Sequence, residues 1–188
     1  QVLVVTINYR LGPMGWFTHP AIQGLQSGMD KTSNFGTLDI MEALKWTQTN
    51  IQNFGGDPNN ITIFGESAGG NNVLSLLASP IGDGLFHKAI SQSGYTRSFN
   101  KDEALGINRR GITINQLGAD PVLAKHDLSG YESIKNLFNQ DPQKYGDEYQ
   151  RYLRSLDGKT LLETYQKISD DTYDRLPLLT RDGIVTHI

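Results

Sequence analysis

The apolar and polar positions fall into two regimes. From Gln1 to Asn8 the chain is almost continuously apolar or β-branched, running Val2-Leu3-Val4-Val5-Thr6-Ile7. No polar face alternates through it, so the pattern predicts a strand buried on both sides, a central strand of a parallel sheet. Leu11 to Lys31 is broken by Gly12, Pro13, Gly15, Pro20, Gly24 and Gly28 and predicts a loop. Its Met14, Trp16 and Phe17 either line a pocket or cover the sheet. From Thr37 to Phe54, the residues Ile40, Leu44, Thr47 and Ile51 recur at helical spacing, and Gly55-Gly56 closes the helix. Asp57-Pro58-Asn59-Asn60 is a turn. Ile61-Thr62-Ile63-Phe64 predicts a strand. Ser67 to Ser79 predicts a helix that is apolar nearly all round (Val73, Leu74, Leu76, Leu77) and hence buried. Lys88 to Gln92 predicts a second short strand. Strand alternating with helix is the signature of βαβ units and of the α/β class, with a mostly parallel central sheet.

After Arg97 the regime changes. Asp102 to Leu117 reads as helical, with Leu105 and Ile112 as core contacts. Ser129 to Phe138 places Ile134, Leu137 and Phe138 on one face, and Leu161, Leu162, Tyr165 and Ile168 make another short amphipathic set. Leu176 to Ile188 returns to extended structure with a turn at Asp182-Gly183. The expected division is a sheet-building part over 1–98 and a mainly helical part of the same domain over 99–188.

The chain has 188 residues, 37% hydrophobic and 20% charged, which suits a folded globular protein. Its net charge of −3 gives no reason to expect a nucleic-acid or anionic membrane surface as partner. There is no cysteine, which excludes disulfides and thiolate metal sites. The four histidines lack ligand spacing, and the glycines form no dinucleotide or phosphate-loop pattern, so no metal or cofactor is expected.

The chemistry concentrates in Gly65-Glu66-Ser67-Ala68-Gly69, between a strand and a helix. A serine at such a corner stands exposed at the carboxyl end of the strand, above a helix N-terminus that favours developing negative charge. Gly65 and Gly69 are expected to leave room for the turn. The Ala68 N–H is placed to donate to an oxyanion.

These residues, with Asn53-Phe54-Gly55-Gly56-Asp57-Pro58-Asn59-Asn60 before them, resemble the type-B carboxylesterases, the family that includes the cholinesterases. Val5 to Pro13, Asn34 to Asp39 with Ala43-Leu44-Lys45-Trp46, and Gly84 to Gly94 are similar to further segments of that family in order and spacing. The likeness is dense to about residue 96 and faint beyond. It implies an α/β-hydrolase fold and a serine hydrolase of carboxylic esters working through an acyl-enzyme, with a small-molecule ester as substrate. It implies Ser67 as nucleophile, Ala68 as one oxyanion donor, and Glu66 and Ser93 as neighbours of the active site. Arg10 and Asp39 match a buried ion pair of structural role. The family's eukaryotic secreted members carry disulfides, so a chain without cysteine leans towards a microbial source.

A hydroxyl needs a base, in this fold a histidine oriented by an acid, both later in the chain than the serine. The resemblance places both beyond the segment seen here, and the second oxyanion donor in a His-Gly-Gly-Gly loop before it. The chain therefore reads as an internal piece of a longer enzyme, neither active nor stable by itself and completed by the remaining segments of that enzyme. Within the chain, His19 and His126 read as solvated and His87 as structural. His187 with Asp170, Asp171 or Asp174 has the right order for a triad but no supporting strand-and-loop signature. The alternative is a non-catalytic adhesion module of the same fold; such modules typically lose the serine, which is present here.

Overall fold

The computed structural model describes residues 2–106, 118–168 and 179–186. Its sheet is built where the short β-branched runs lie. β1 (Thr62–Glu66) and β2 (Lys88–Gln92) pair in parallel, with Thr62 opposite Lys88 and Glu66 opposite Gln92. Short helices α1 (Gly12–Gly15) and α2 (Pro20–Gln23) interrupt the glycine- and proline-rich loop. α3 (Phe35–Asn50) ends in a 3-10 turn, and Gly55 closes it with a left-handed φ of 84°. α4 (Ala68–Ala78) joins the two strands. The rest is helical: α5 (Lys101–Leu105), α6 (Ala119–His126), α7 (Leu128–Gln140), α8 (Pro142–Ser155) and α9 (Gly158–Ile168). α6 and α8 are missing from the sequence reading. α6 spans only eight residues, with Pro121 in its first turn, and α8 is short of apolar residues and follows Asp141, whose side chain accepts the Lys144 N–H and caps the first turn. The expected helix over 102–117 is seen as far as Leu105, and Ile112 lies outside the described residues.

The strand expected at the N-terminus is not formed. Residues 2–11 belong to no helix or strand among the described residues, and Val2, Val4 and Val5 are 87%, 65% and 42% exposed. A strand exists only through its ladder, and among the described residues none pairs with this segment. A cleft of about 1260 Å³ separates Val2, Val5, Ile7 and Tyr9 from Ile63 and Phe64 of β1. The burial of α4 also differs from expectation. Leu77 is 56% exposed, whereas Asn71, Asn72 and Ser75 are buried. Small residues on the sheet side let α4 approach the strands closely, and that proximity decides which face is covered.

Two apolar clusters form. One unites Ile40, Met41 and Leu44 of α3 with Ile63 of β1, Val73 and Leu76 of α4, and Val185. The other unites Val122, Leu123, Tyr131, Ile134, Phe138 and Tyr149 with Ala21 from the loop. Each recruits across residue 98. A polar clamp reinforces this crossing. Asp182 Oδ1 accepts the N–H groups of Ile184, Val185 and Thr186 at 2.9, 2.9 and 3.3 Å. Its Oδ2 accepts Thr32 Oγ1 at 2.5 Å, Asn34 Nδ2 at 2.8 Å and the Ser33 N–H at 3.2 Å. The late segment is thereby fixed to the early loop. Among the described residues no helix is long and apolar enough to cross a membrane.

Candidate active site

Ser67 sits between the last residue of β1 and the first of α4, with φ 52° and ψ −114°. Among the described residues, it and Ser93 are the non-glycine positions with positive φ, a conformation that costs on the order of 1–3 kcal/mol and is found where surrounding structure imposes it. Here the imposing contacts are backbone. Ser67 N–H donates to Gln92 O of β2 at 2.9 Å, and Ser67 O accepts the Asn71 N–H at 2.9 Å. The chain is thus held to the neighbouring strand on one side and enters the helix on the other.

Glycine makes the turn possible, though not in the distribution expected. A Cβ at Gly65 would lie 2.4 Å from the backbone of Gly69, and one at Gly70 would lie 2.8 Å from Gln92 O and from Gly94. A Cβ at Gly94 would meet the Ser91 hydroxyl and the Gly70 backbone. Ser91 Oγ donates to Gly70 O at 3.1 Å, closing the contact between α4 and β2. Gly65, Gly70 and Gly94 therefore carry the close approach. Gly69 supplies the backbone that Gly65 accommodates, while its own Cβ direction opens on the cleft with nothing within 4 Å.

Ser67 is exposed and makes no hydrogen bond that caps its own helix, so the first-turn N–H groups of α4 are not satisfied by its hydroxyl. Ala68, half-buried, supplies the first of them. Glu66 is exposed on the face of β1 opposite Ile63. Ser93 follows the last residue of β2, and the register that sets Glu66 against Gln92 sets Ser93 beside Ser67. Both serines stand at the carboxyl ends of adjacent parallel strands with φ near +50°. The structure brings Glu66, Ser67, Ala68 and Ser93 to one end of the sheet.

The histidines go elsewhere. His19, expected to be solvated, is 2% exposed and bonded to Tyr149 Oη at 2.9 Å. The loop around it is folded into the second cluster, so loop-like sequence did not mean surface. His126, also expected to be solvated, ends α6 half-buried, with Thr164 Oγ1 at 3.2 Å from Nδ1. His87 Nδ1 accepts the Ile61 N–H at 3.1 Å, a structural role before β2. His187, Asp170, Asp171 and Asp174 lie outside the described residues. Arg10 and Asp39 form the anticipated ion pair, with Nε–Oδ2 at 2.8 Å and Nη2–Oδ1 at 2.7 Å. Those hydrogen bonds hold the Asp39 carboxyl below the usual range. The pair is not buried as expected, with side chains 52% and 25% exposed, so it contributes little stability. Among the described residues no group of three or more histidine and acidic side chains is arranged to hold a metal ion.

Residues 1–176 match the sequence model of the carboxylesterase family. The chain is 37% identical over 187 residues to the para-nitrobenzyl esterase of Bacillus subtilis (strain 168), covering 97% of this chain and 37% of that protein. It is 44% identical over 123 residues to the fumonisin B1 esterase of Sphingopyxis macrogoltabida, and 52% identical over 94 residues to the human cocaine esterase. Those alignments cover 63% and 50% of this chain and 21% and 16% of the two relatives. Among solved structures, a carboxylesterase of Geobacillus stearothermophilus superposes with a TM-score of 0.65 at 28% identity, over 97% of this chain and 32% of that one. A para-nitrobenzyl esterase superposes at 0.62 with 30% identity, over 95% and 32%. These structures have the α/β-hydrolase fold, of which the parallel pair and its joining helix are a part. The chain spans little more than a third of the para-nitrobenzyl esterase and less of the other relatives named here.

Proposed function

The chain belongs to the carboxylesterase family, and from that premise we propose that it carries the nucleophile of a serine hydrolase of carboxylic esters. The observation that supports this reading most is the strained, exposed Ser67 at the strand-to-helix corner, held there by backbone hydrogen bonds to β2 and into α4. A serine in this position gains nothing for stability, whereas its hydroxyl gains access and the helix N-terminus beneath it gains a use.

In this proposal Ser67 Oγ attacks the ester carbonyl carbon while a histidine takes its proton. The carbonyl oxygen becomes an oxyanion, and the Ala68 N–H donates to it. The intermediate collapses, the carbon–alkoxy bond breaks, and the alcohol leaves with the proton returned by the base. The acyl group is then on Ser67 Oγ. Water, deprotonated by the same base, attacks the acyl carbon and releases the carboxylic acid, restoring Ser67. The base, its acid and the further oxyanion donor are proposed to come from the remaining segments of the enzyme. Glu66 contributes a carboxylate at the mouth, suited to ordering water or favouring a cationic transition state. Ser93 is proposed as a neighbour that hydrogen-bonds the triad acid. The adhesion-module alternative finds no support among relatives whose names are those of esterases.

The test is covalent labelling of the enzyme with a fluorophosphonate, followed by peptide mapping. The expected adduct is on Ser67. An adduct on any other serine, or none on an active enzyme, overturns the assignment.

A further inference from the structure

Away from the corner, the second apolar cluster encloses one imidazole between two bodies of structure. The ring of His19 lies against Phe17 at 6.3 Å, Tyr131 at 6.4 Å and Tyr149 at 4.7 Å between centroids. Its two nitrogens have defined partners. Nδ1 accepts the Ala21 N–H at 3.2 Å, so Nδ1 carries no proton, and the single ring proton sits on Nε2 and is donated to Tyr149 Oη. One more bond joins the same surfaces, and another braces the loop itself. Gln150 Nε2 of α8 donates to Ala21 O at 3.0 Å, and the His19 N–H donates to Gln23 Oε1 at 2.6 Å.

The charged form of this ring has no place to go. An imidazolium donates from both nitrogens, so its Nδ1–H would confront the Ala21 N–H, donor against donor. Neither ring nitrogen meets a carboxylate. The charged and titratable groups around it come from three helices. α6 presents Asp120, whose negative charge favours protonation, but that carboxylate is engaged by Tyr131 Oη and by Lys135 Nζ at 3.0 Å. α7 presents Tyr131 and Lys135, and the Lys135 charge opposes protonation. Glu132, also on α7, acts on Tyr149 of α8, and Tyr149 itself stays neutral because burial raises its pKa. Burial is the largest effect on His19 and depresses it from 6.5 to about 4. That displacement corresponds to proton binding on the order of a few hundred-fold tighter once the ring is released.

We propose that His19 is an acid-operated latch: neutral, it fastens the loop of residues 17–25 to the helical body of α6–α8, and protonated, it lets that body go. Gln23 connects the latch to the rest of the molecule. Its Nε2 donates to Phe17 O and Thr32 O, both at 3.0 Å, and Thr32 in turn holds Asp182. Release at His19 therefore loosens the fastening between the helical body and the sheet-bearing part. It leaves β1 and α4 in place, since the hydrogen bonds that hold them to their neighbours run to β2 and to Tyr9 and none to the latch.

The test is amide hydrogen exchange of the protein between pH 7 and pH 4, corrected for the intrinsic pH dependence of exchange. The latch predicts that protection over 17–25 and 119–155 falls together, by about ten-fold or more, while 62–66 and 68–78 keep theirs. His19→Gln retains a donor for Tyr149 and has no group to titrate, so its helical body should show no acid-dependent loss. Parallel loss in wild type and variant, or simultaneous loss in both regions, overturns the latch. Should the variant fail to fold, an NMR titration of the wild-type imidazole decides. The expected signature is the Nε2–H tautomer at neutral pH and a midpoint far below 6.5 that coincides with loss of protection. A midpoint near 6.5 with the helices still protected overturns it.

Discussion

The corner at Ser67 and the cluster at His19 hold their shapes by opposite means. At the corner the contacts are backbone against backbone: Gly65 on Gly69, Gly70 on Gln92 and Gly94, and the Ser67 N–H on Gln92 O. Apart from Ser91 Oγ on Gly70 O, no side chain is spent on the geometry, and the polar side chain at the apex is left exposed. At His19 side chains carry the contacts: an imidazole fixed by the Ala21 N–H, two buried phenols, a carboxylate and an ammonium, inside an aromatic cage. A corner built from backbone tolerates changes of pH, since no ionisable group takes part in its contacts, but at Gly65, Gly70 and Gly94 it cannot accept an added methyl group. A cluster built from buried polar side chains tolerates small adjustments of shape, but it fails when a proton arrives.

Four measurements would break or sharpen this contrast. The largest effect belongs to Ser67→Ala, which should lower kcat of the enzyme by roughly 10⁴ or more while leaving its thermal midpoint near that of the parent. Tyr149→Phe should do the reverse, destabilising the fold while kcat per folded molecule stays within about three-fold. If Tyr149→Phe cost as much in kcat as Ser67→Ala, the separation of chemistry from fastening would be wrong.

Next comes Gly65→Ala. The added Cβ would lie 2.4 Å from the backbone of Gly69, and backbone cannot step aside. The expected loss is about 4 kcal/mol or more in denaturant titrations, together with loss of fluorophosphonate labelling. A stable, labelled variant would show that the corner opens more easily than its contacts suggest.

Acid provides the third effect. The native pKa of His19 is depressed from 6.5 to about 4, so between those values the unfolded chain binds a proton that the folded chain refuses. The stabilisation is complete above about pH 6.5, declines as pH falls towards 4 and is exhausted below that. Its size is about 3 kcal/mol. The slope of unfolding free energy against pH in that window should flatten in His19→Gln. An unchanged slope would assign the acid sensitivity to other groups.

The smallest effect is expected for Gly69→Ala. That Cβ would meet nothing within 4 Å, and alanine is a better helix former than glycine, so the change should be neutral or stabilising by up to about 1 kcal/mol. A loss as large as that of Gly65→Ala would show that the cleft beside Gly69 is filled in the intact enzyme.

Much of the corner was legible before any coordinates. The residue order Ile61 to Gly70, the limits of β2 and the helix ending at Gly55 all follow from local chemistry: β-branching, helical spacing and glycine's access to positive φ. Local rules act over a few residues, and these features span only a few. Ser93 was legible only through the family resemblance; its strain was not, because φ there depends on how Gly94 packs against Gly70.

What lay beyond the sequence was mostly what depends on a partner distant in the chain; Arg10–Asp39 was anticipated only through the family resemblance. The apolar run Val2 to Ile7 states an affinity for burial, and only a neighbouring strand can satisfy it; in the described structure the run is unpaired and exposed. His19 sits in a loop by every local sign, yet Tyr149, 130 residues later, buries it. Asp182 lies at a predicted turn, and only folding shows that its carboxylate collects donors from Thr32, Ser33 and Asn34. By itself the sequence determined where the chain can bend and which residue stands at the bend. Tertiary structure decided which side chains lose water, because desolvation is a property of the assembled interior and has no counterpart in a stretch of neighbouring residues.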